Sequence, residues 1–437
     1  MRYVKLDRVR ALKAPRRPFS AADEWQACLV NPEGDSHSRS RTIRNESDRL
    51  AQILGATKRT NQHGDYLSLH CWCAEPPQYS PDLRALKLLL PDASHEIADP
   101  EQWLFLDTET TGLAGGSGTY AFLVGIAWWE GGGLEIEQFF LREYSEERSL
   151  LFALRERIAE HPVLVTFNGK SFDWPLLETR YRMSRKITPP VPRAHLDFLH
   201  PARNLWRLRL GSVRLSELER HVLGWDRGAD VLSDLIPRIY LDFVRGGPPE
   251  RLVPVFHHNQ MDLRGLAALS SRVLSLVSDA ENVGKDGLEL FGVSRICEKR
   301  GENARARALY EKSIASVLPT ETDRAARHSL ARLAKREGDF NLACELWKEA
   351  LGNSRQGYDA YEQLAMYYEH KARDPEQARQ IVRQALDELR RANQVGDITP
   401  GPYREIKARF DHRMTRLERK SRRPLLDVLD MESQAQW

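Results

Sequence analysis

The strongest constraint in this chain is a short one. Trp103-Leu104-Phe105-Leu106 is an unbroken apolar run that stops on acids, at Asp107-Thr108-Glu109. Four consecutive apolar residues leave no polar face for water, so the segment fits a strand covered on both sides. Such a strand needs a layer above it and a layer below it. The following sequence supplies them. Tyr120 to Trp129 reads as a second strand, and Leu134 to Leu141 as a third after the Gly131-Gly132-Gly133 turn. Ser149 to Glu160 is an amphipathic helix. Val163 to Phe167 is a fourth strand broken by Asn168-Gly169, a fifth lies near His195 to Leu199, and helical patterns continue to Leu276. Three strands, a helix, two further strands and then helices predict an α/β domain over residues 100–280, a mixed sheet flanked by helices.

Past residue 286 the strand signals stop and a repeat begins. Ala306, Tyr310 and Ser313 recur as Ala343, Trp347 and Ala350, then as Ala378, Val382 and Ala385. Each set is small, large, small on one helix face. Leu330-Ala331 recurs as Leu364-Ala365 on the partner helix. Arg336-Glu337-Gly338-Asp339 supplies a tight turn, and Ala372-Arg373-Asp374-Pro375 a less regular one. The pattern resembles tetratricopeptide repeats, about three of them, which implies an all-α repeat domain over 286–395 whose helix pairs bury their apolar faces on each other. Residues 1–99 take no domain type from their sequence. Residues 396–437 form a basic tail, readable as a solvated capping helix or as a phosphate contact.

Bulk properties narrow the function classes. A net charge of +3 over 437 residues gives no global polycation, so any nucleic-acid affinity must be local. No run approaches a membrane span and the N-terminus lacks an apolar signal core, which points to the cytoplasm. Five cysteines, an odd and scattered set, do not form a disulfide framework. His70-Cys71-Trp72-Cys73 has no second Cys/His pair at zinc spacing.

The chemistry rests on carboxylates. Asp107 and Glu109 are two residues apart on an extended segment, so both side chains leave the same face and can hold a hard divalent cation. The triplet is a weak signal alone, since Asp430-Met431-Glu432 repeats it in the polar tail. Two further acids strengthen it: Asp173, just after the fourth strand, and Asp262, on a late helix that continues through Leu263, Leu266 and Leu269.

The segments Phe105 to Gly116, Phe122 to Gly125, Asn168 to Leu177, His195 to Arg203 and His258-Asn259 with Asp262 are similar in order and character to the DEDD superfamily of 3′→5′ exonucleases. Within it they most resemble the YprB-like ribonuclease H-like family. That resemblance implies a ribonuclease H-like fold and two-metal hydrolysis of phosphodiester bonds in DNA or RNA, with Mg²⁺ or Mn²⁺. It implies that Asp107, Glu109, Asp173 and Asp262 are the metal ligands, with Asp107 bridging. A histidine would take the proton of the attacking water. Family members place that base as a His five residues before the last Asp or a Tyr four before it. Here His257 and His258 occupy both positions. The family pattern His-Asn-x-x-Asp favours His258, which at four residues also shares a helix face with Asp262. His257 is the alternative base.

Thr110, Asn168, Phe172 and Asn259, in the matched segments, are the expected substrate contacts. Asn168-Gly169 also simply makes a turn. Gly115-Gly116-Ser117-Gly118 is either a nucleotide approach or a plain loop. His195 and Asp197 read as a structural pair or as support for the site, and Lys170 as a phosphate contact or a solvated cation. Arg203, Trp206, Arg207 and Arg209 mix charge and aromatic surface, as strand-gripping surfaces do, but a solvated helix face has the same composition. The expected activity is therefore a metal-dependent 3′→5′ exonuclease whose repeats recruit a protein partner. The competing reading is a catalytically idle, nucleic-acid-binding scaffold that acts through its repeats.

Overall fold

The computed structural model describes residues 46–74, 82–112, 118–184, 187–284, 286–351 and 358–434, with side chains described as far as residue 420. The expected loop at 115–117 and Cys28 lie outside the described residues. Seven strands form one sheet: β1 (Thr57–Asn61), β2 (Gly64–Cys73), β3 (Trp103–Thr110), β4 (Ala121–Glu130), β5 (Gly133–Phe140), β6 (Val163–Thr166) and β7 (Ala194–Asp197). Their spatial order is β1-β2-β5-β4-β3-β6-β7. Pairing is antiparallel from β1 across to β3 and parallel from β3 through β6 to β7. This is the mixed sheet that the sequence predicts, with one addition. β1 and β2 come from the stretch left without a domain type, and β2 pairs along β5 to extend the sheet.

The helices of seven residues or more are α1 (Leu83–Leu89), α2 (Glu147–Glu160), α3 (Asp173–Ser184), α4 (Leu199–Leu210), α5 (Ile236–Val244), α6 (Val253–Val283) and α7 (Gly287–Lys299). The all-helical region continues as α8 (Asn303–Ile314), α9 (Thr320–Glu337), α10 (Phe340–Ala350), α11 (Tyr358–His370), α12 (Pro375–Gln394) and α13 (Pro400–Gln434).

The two-sided burial of β3 is literal. Trp103 and Phe105 belong to the apolar cluster on one face of the sheet, together with Leu263, Leu266 and Ala267 of α6. Leu104 and Leu106 belong to the cluster on the other face, with Leu154 of α2 and Leu177 of α3. The strand alternation therefore continues into its acidic end. Asp107 and Glu109 fall on the α6 face and Thr108 on the opposite one. The strand runs two turns of the pleat further than its apolar core, through Thr110, so both acids are part of the ladder rather than beyond it.

In the helical region the repeat anchors are core except Ala350, which is half-buried. Ala306, Tyr310, Ser313, Ala378, Val382 and Ala385 are fully buried, as are Ala331, Leu364 and Ala365. Each helix packs on the next, from α7 through to α13. Gly338 caps α9 at φ +83°, and Asp339 then caps α10 by accepting from Leu342 N at 3.2 Å. The tail helix α13 is tied down by charge: the buried carboxylate of Glu369 accepts from Arg413 (3.1 Å), Arg416 (2.5 Å) and Lys420 (2.7 Å). Those cations hold α13 against α11. No helix among the described residues is long and apolar enough to cross a membrane.

Candidate active site

α6 brings the late residues down onto the acidic end of β3. It opens with a proline in the first turn and runs unbroken from Val253 to a kink at Asp279, so one rod carries both the core residues Leu263 to Val277 and the polar residues before them. His258 and Asn259 are buried while His257 is exposed, so the doubled histidine is divided between two helix faces. His258 Nε2 lies 3.4 Å from Asp262 Oδ2 and 4.0 Å from Glu109 Oε1. Ligand atoms of Glu109, His258 and Asp262 all lie within 4.8 Å of one another.

Asp107 is held from α6 as well. Asn259 Nδ2 donates to Asp107 Oδ2 at 2.8 Å, and Asn259 Oδ1 accepts from Gln138 Nε2 at 2.7 Å. Gln138 is fully buried on β5; its Nε2 also donates to Phe256 O (3.0 Å), and its Oε1 accepts from Gln260 (2.8 Å). Asn259 thus bridges β5 and β3 across the intervening strand. The residue it crosses is Gly125, paired with Asp107 on one side and Gln138 on the other. A Cβ there would sit 2.0 Å from Asn259 Oδ1. The glycine is a clearance for the amide.

Asp173 opens α3 and approaches from the opposite face, where its carboxylate accepts a short hydrogen bond from Thr108 Oγ1. Burial pushes its carboxyl up to about 6. Burial likewise holds Asp107 and Glu109 well above the usual carboxylate range, reinforced by the other acids: Asp262 and Asp173 act on Asp107, and all three of Asp107, Asp262 and Asp173 on Glu109. Four acids share one poorly solvated volume with too little positive charge to balance them. A donor set of carboxylates plus one imidazole, in that state of charge, fits a hard divalent cation.

One cation of the protein does enter the cluster. Arg227 Nη2 donates to Asp262 Oδ1 at 2.5 Å and to Glu219 Oε1 at 2.6 Å, and Arg227 Nη1 to Asp230 Oδ2 at 3.2 Å. Glu219 is almost fully buried, and Gly265 on α6 makes room for it, since a Cβ there would meet Glu219 Oε1 at 1.7 Å. Asp230 in turn accepts from His258 Nδ1 at 2.8 Å. A carboxylate can only accept, so Nδ1 carries the hydrogen and a neutral His258 presents the lone pair of Nε2 toward Glu109 and Asp262. Sequence reasoning missed Glu219, Arg227, Asp230 and Gln138. Only Arg227 and Asp230 carry a local signal, the polar loop Asp226 to Asp230.

The remaining expected residues are placed as follows. Thr110 Oγ1 donates to Gly112 O at 3.0 Å and shapes the turn after β3. Asn168 is exposed with φ +71°, at the turn after β6. Phe172 is half-buried beside Asp173. Asp197 accepts the backbone N–H groups of Asn168 (2.9 Å), Lys170 (3.1 Å) and Leu199 (3.0 Å), and His195 meets Thr166 Oγ1 at 2.8 Å. Trp206 is fully buried, with its Nε1 donating to Glu289 Oε1 at 2.9 Å, and Arg209 pairs with Asp286. Neither is part of a strand-gripping surface, and only Arg203 and Arg207 of that group face solvent.

A family model described as the RNase_H superfamily matches residues 104–274, from the start of β3 into the second half of α6. The chain is also 32% identical over 287 residues to the YprB protein of Bacillus subtilis (strain 168), an alignment that covers 65% of this chain and 69% of that one.

Proposed function

The chain belongs to the ribonuclease H superfamily, in the family of the Bacillus subtilis YprB protein, and from that premise we propose that it is a metal-dependent 3′→5′ exonuclease acting on nucleic-acid ends. The observation that carries the reading is the gathering of acids at the end of β3: Glu109 and Asp262 lie beside the buried His258, and burial together with the charges of Asp262 and Asp173 opposes ionisation of Asp107 and Glu109. Two Mg²⁺ or Mn²⁺ ions bound by these carboxylates would neutralise them, polarise the scissile phosphate and lower the pKa of the attacking water.

The residues themselves divide the work. Asn259 orients Asp107, and Thr108 orients Asp173. Asp230 fixes the His258 tautomer so that Nε2 accepts the proton of the nucleophile. Arg227 holds Asp262 and Asp230 in register. Thr110, Asn168 and Phe172, from the matched segments, contact the substrate strand. The 3′→5′ polarity is drawn from the DEDD resemblance. The helical region is assigned as tetratricopeptide-type repeats over 286–395, which recruit a protein partner, and residues 396–437 as its basic cap.

The test is a time course on single-stranded DNA, duplex DNA and RNA, each labelled at the 5′ end, with Mg²⁺, with Mn²⁺ or with chelator. The expected result is a ladder shortening from the 3′ end with metal, absent with chelator and absent in Asp107→Asn. Folded protein that cuts nothing in either metal sinks the proposal.

A further inference from the structure

We propose that the cleft between α4 and helices α7 and α9 is a track for the phosphodiester backbone of a polynucleotide, running from the helical region to the turn beside Asp173. The inference rests on the nuclease reading for its destination and on the cleft alone for its binding.

The cleft consists of two adjoining recesses of about 490 and 470 Å³, with His200, Asn204 and Lys299 common to both. One wall is α4, and the other is α7 followed by α9. The walls are fixed relative to each other. Gly292 of α7 lies so close to α4 that a Cβ would be 2.6 Å from Asn204 O. Trp206 of α4 bonds to Glu289 of α7, and Arg300 at the end of α7 donates to Leu88 O (2.8 Å) and Leu89 O (3.1 Å) of α1. The sheet unit and the helical region therefore present one preformed channel.

Its charge is concentrated far beyond that of the molecule. Seven Lys and Arg side chains line the two recesses against two carboxylates, in a chain whose net charge is +3. Both carboxylates are already engaged. Glu298 accepts from Arg332 (2.5 Å) and from the Tyr310 hydroxyl (3.0 Å), and Asp197 is taken up by three backbone N–H groups. Lys170, Arg203, Lys299 and Arg336 are exposed and make no ion pair among the described residues. The contrast with the tail decides between the two basic regions, because Arg413, Arg416 and Lys420 are consumed by Glu369.

The placement selects the ligand. Lys170 stands three residues before Asp173, at the C-terminal ends of parallel strands β6 and β7, where open α/β sheets take their ligands. Arg336 stands at the far end of α9. Spaced cations along a channel match a repeating phosphate rather than a single anion. Tyr310 and Phe198, the large aromatics that line the cleft, are buried, so neither offers a base its stacking face. Binding is then to the backbone and tolerant of sequence.

The test measures binding of the full chain in chelator, where no cleavage occurs, to fluorescein-labelled DNA and RNA strands of about 20 nucleotides over a range of NaCl concentrations. The paired variant Lys299→Glu/Arg336→Glu, both exposed and checked for folding by circular dichroism, should bind roughly tenfold or more weakly. Its log–log salt slope should fall by about 1.4, the value for two phosphate contacts on a single strand. Arg383→Glu/Arg390→Glu, two exposed changes on α12 outside the cleft, should alter neither. Equal weakening in both pairs, or no weakening in the first, overturns the track. With metal, the first pair should lose kcat/KM on the long strand and keep it on a dinucleotide, which is too short to reach α9. Wild-type protein that cleaves neither substrate defeats the nuclease reading alone, and the binding measurement still decides the cleft.

Discussion

At the scale of single residues, the site is a store of unfavourable charge. Asp173 has its carboxyl raised from 3.8 to about 6 by burial, so between those values the unfolded chain has released a proton that the fold retains. Metal-free stability must then fall as pH rises through that window, by on the order of 3 kcal/mol for this group. His195 works the other way. Burial, with the Lys170 charge second, lowers it from 6.5 to about 4, so the unfolded chain binds the extra proton and stability rises with pH between those values. Urea midpoints measured from pH 4 to 7 in chelator should therefore show a shallower fall in Asp173→Asn and a steeper one in His195→Gln than in the wild type. Matching profiles in all three would contradict the assigned shifts. Asp107→Asn should melt at or above the wild-type temperature in chelator and lose the gain that Mg²⁺ gives the wild type. Much of this was legible beforehand: two acids one pleat apart, and a histidine one helical turn from a third acid, are local relations. The links from Asp230 to His258 and from Gln138 to Asn259 were not, because their partners are 28 and 121 positions apart and neither end belongs to a periodic pattern.

Among elements, the decisive relation is α6 lying over the β3–β4–β5 end of the sheet. Its apolar run could be read as a buried helix, but nothing in a single sequence says which strand it covers or at what distance. The distance is set by Gly125 and Gly265, which admit the Asn259 amide and the Glu219 carboxylate. Gly125→Ala should push Asn259 off both Asp107 and Gln138, leaving buried polar groups unpaired at about 1–3 kcal/mol each. Turnover should drop at least as strongly as in Asn259→Ala, while a change at an open position such as Gly401→Ala has no such effect on Asn259. Arg227 is the other hinge of this packing. Arg227→Met strands the buried Glu219 and should cost about 3–5 kcal/mol in denaturant melts. The double variant Glu219→Gln/Arg227→Met should regain much of that stability and not the activity, since Asp262 and Asp230 still lack their common partner. Recovery of both together would reduce Arg227 to a purely structural residue. The alternation of β3 and the repeat anchors Ala306, Tyr310 and Ser313 were readable because each is a short-period signal. β1 and β2 were not, since a strand as exposed as Thr57–Asn61 carries no apolar pattern to find.

For the whole molecule, the question is whether the sheet unit and the helical region behave as one body. Their apolar residues form a continuous cluster, in which Trp206 and Leu205 of α4 pack with Phe291 and Val293 of α7. At its centre the buried carboxylate of Glu289 accepts from Trp206 at 2.9 Å and from Arg272 of α6 at 3.3 Å, with Arg209 also within 3.6 Å. One side chain on α7 therefore satisfies donors on two helices of the sheet unit. A junction this dry couples the two parts, because opening it exposes apolar surface and unpaired polar groups on both sides at once. Unfolding should consequently be a single transition by tryptophan fluorescence and by far-ultraviolet circular dichroism, although the sheet and the stacked helices would each be large enough to melt alone. Glu289→Ala leaves the Trp206 N–H without its acceptor and Arg272 and Arg209 without a shared partner. It should lower stability by about 2–4 kcal/mol and split the transition into two, with the fluorescence change separating from the helical signal. A wild type that already melts in two steps would mean the junction is only a contact. The cleft between α4 and α7 would then open and close with it, and its cations would no longer be held in line.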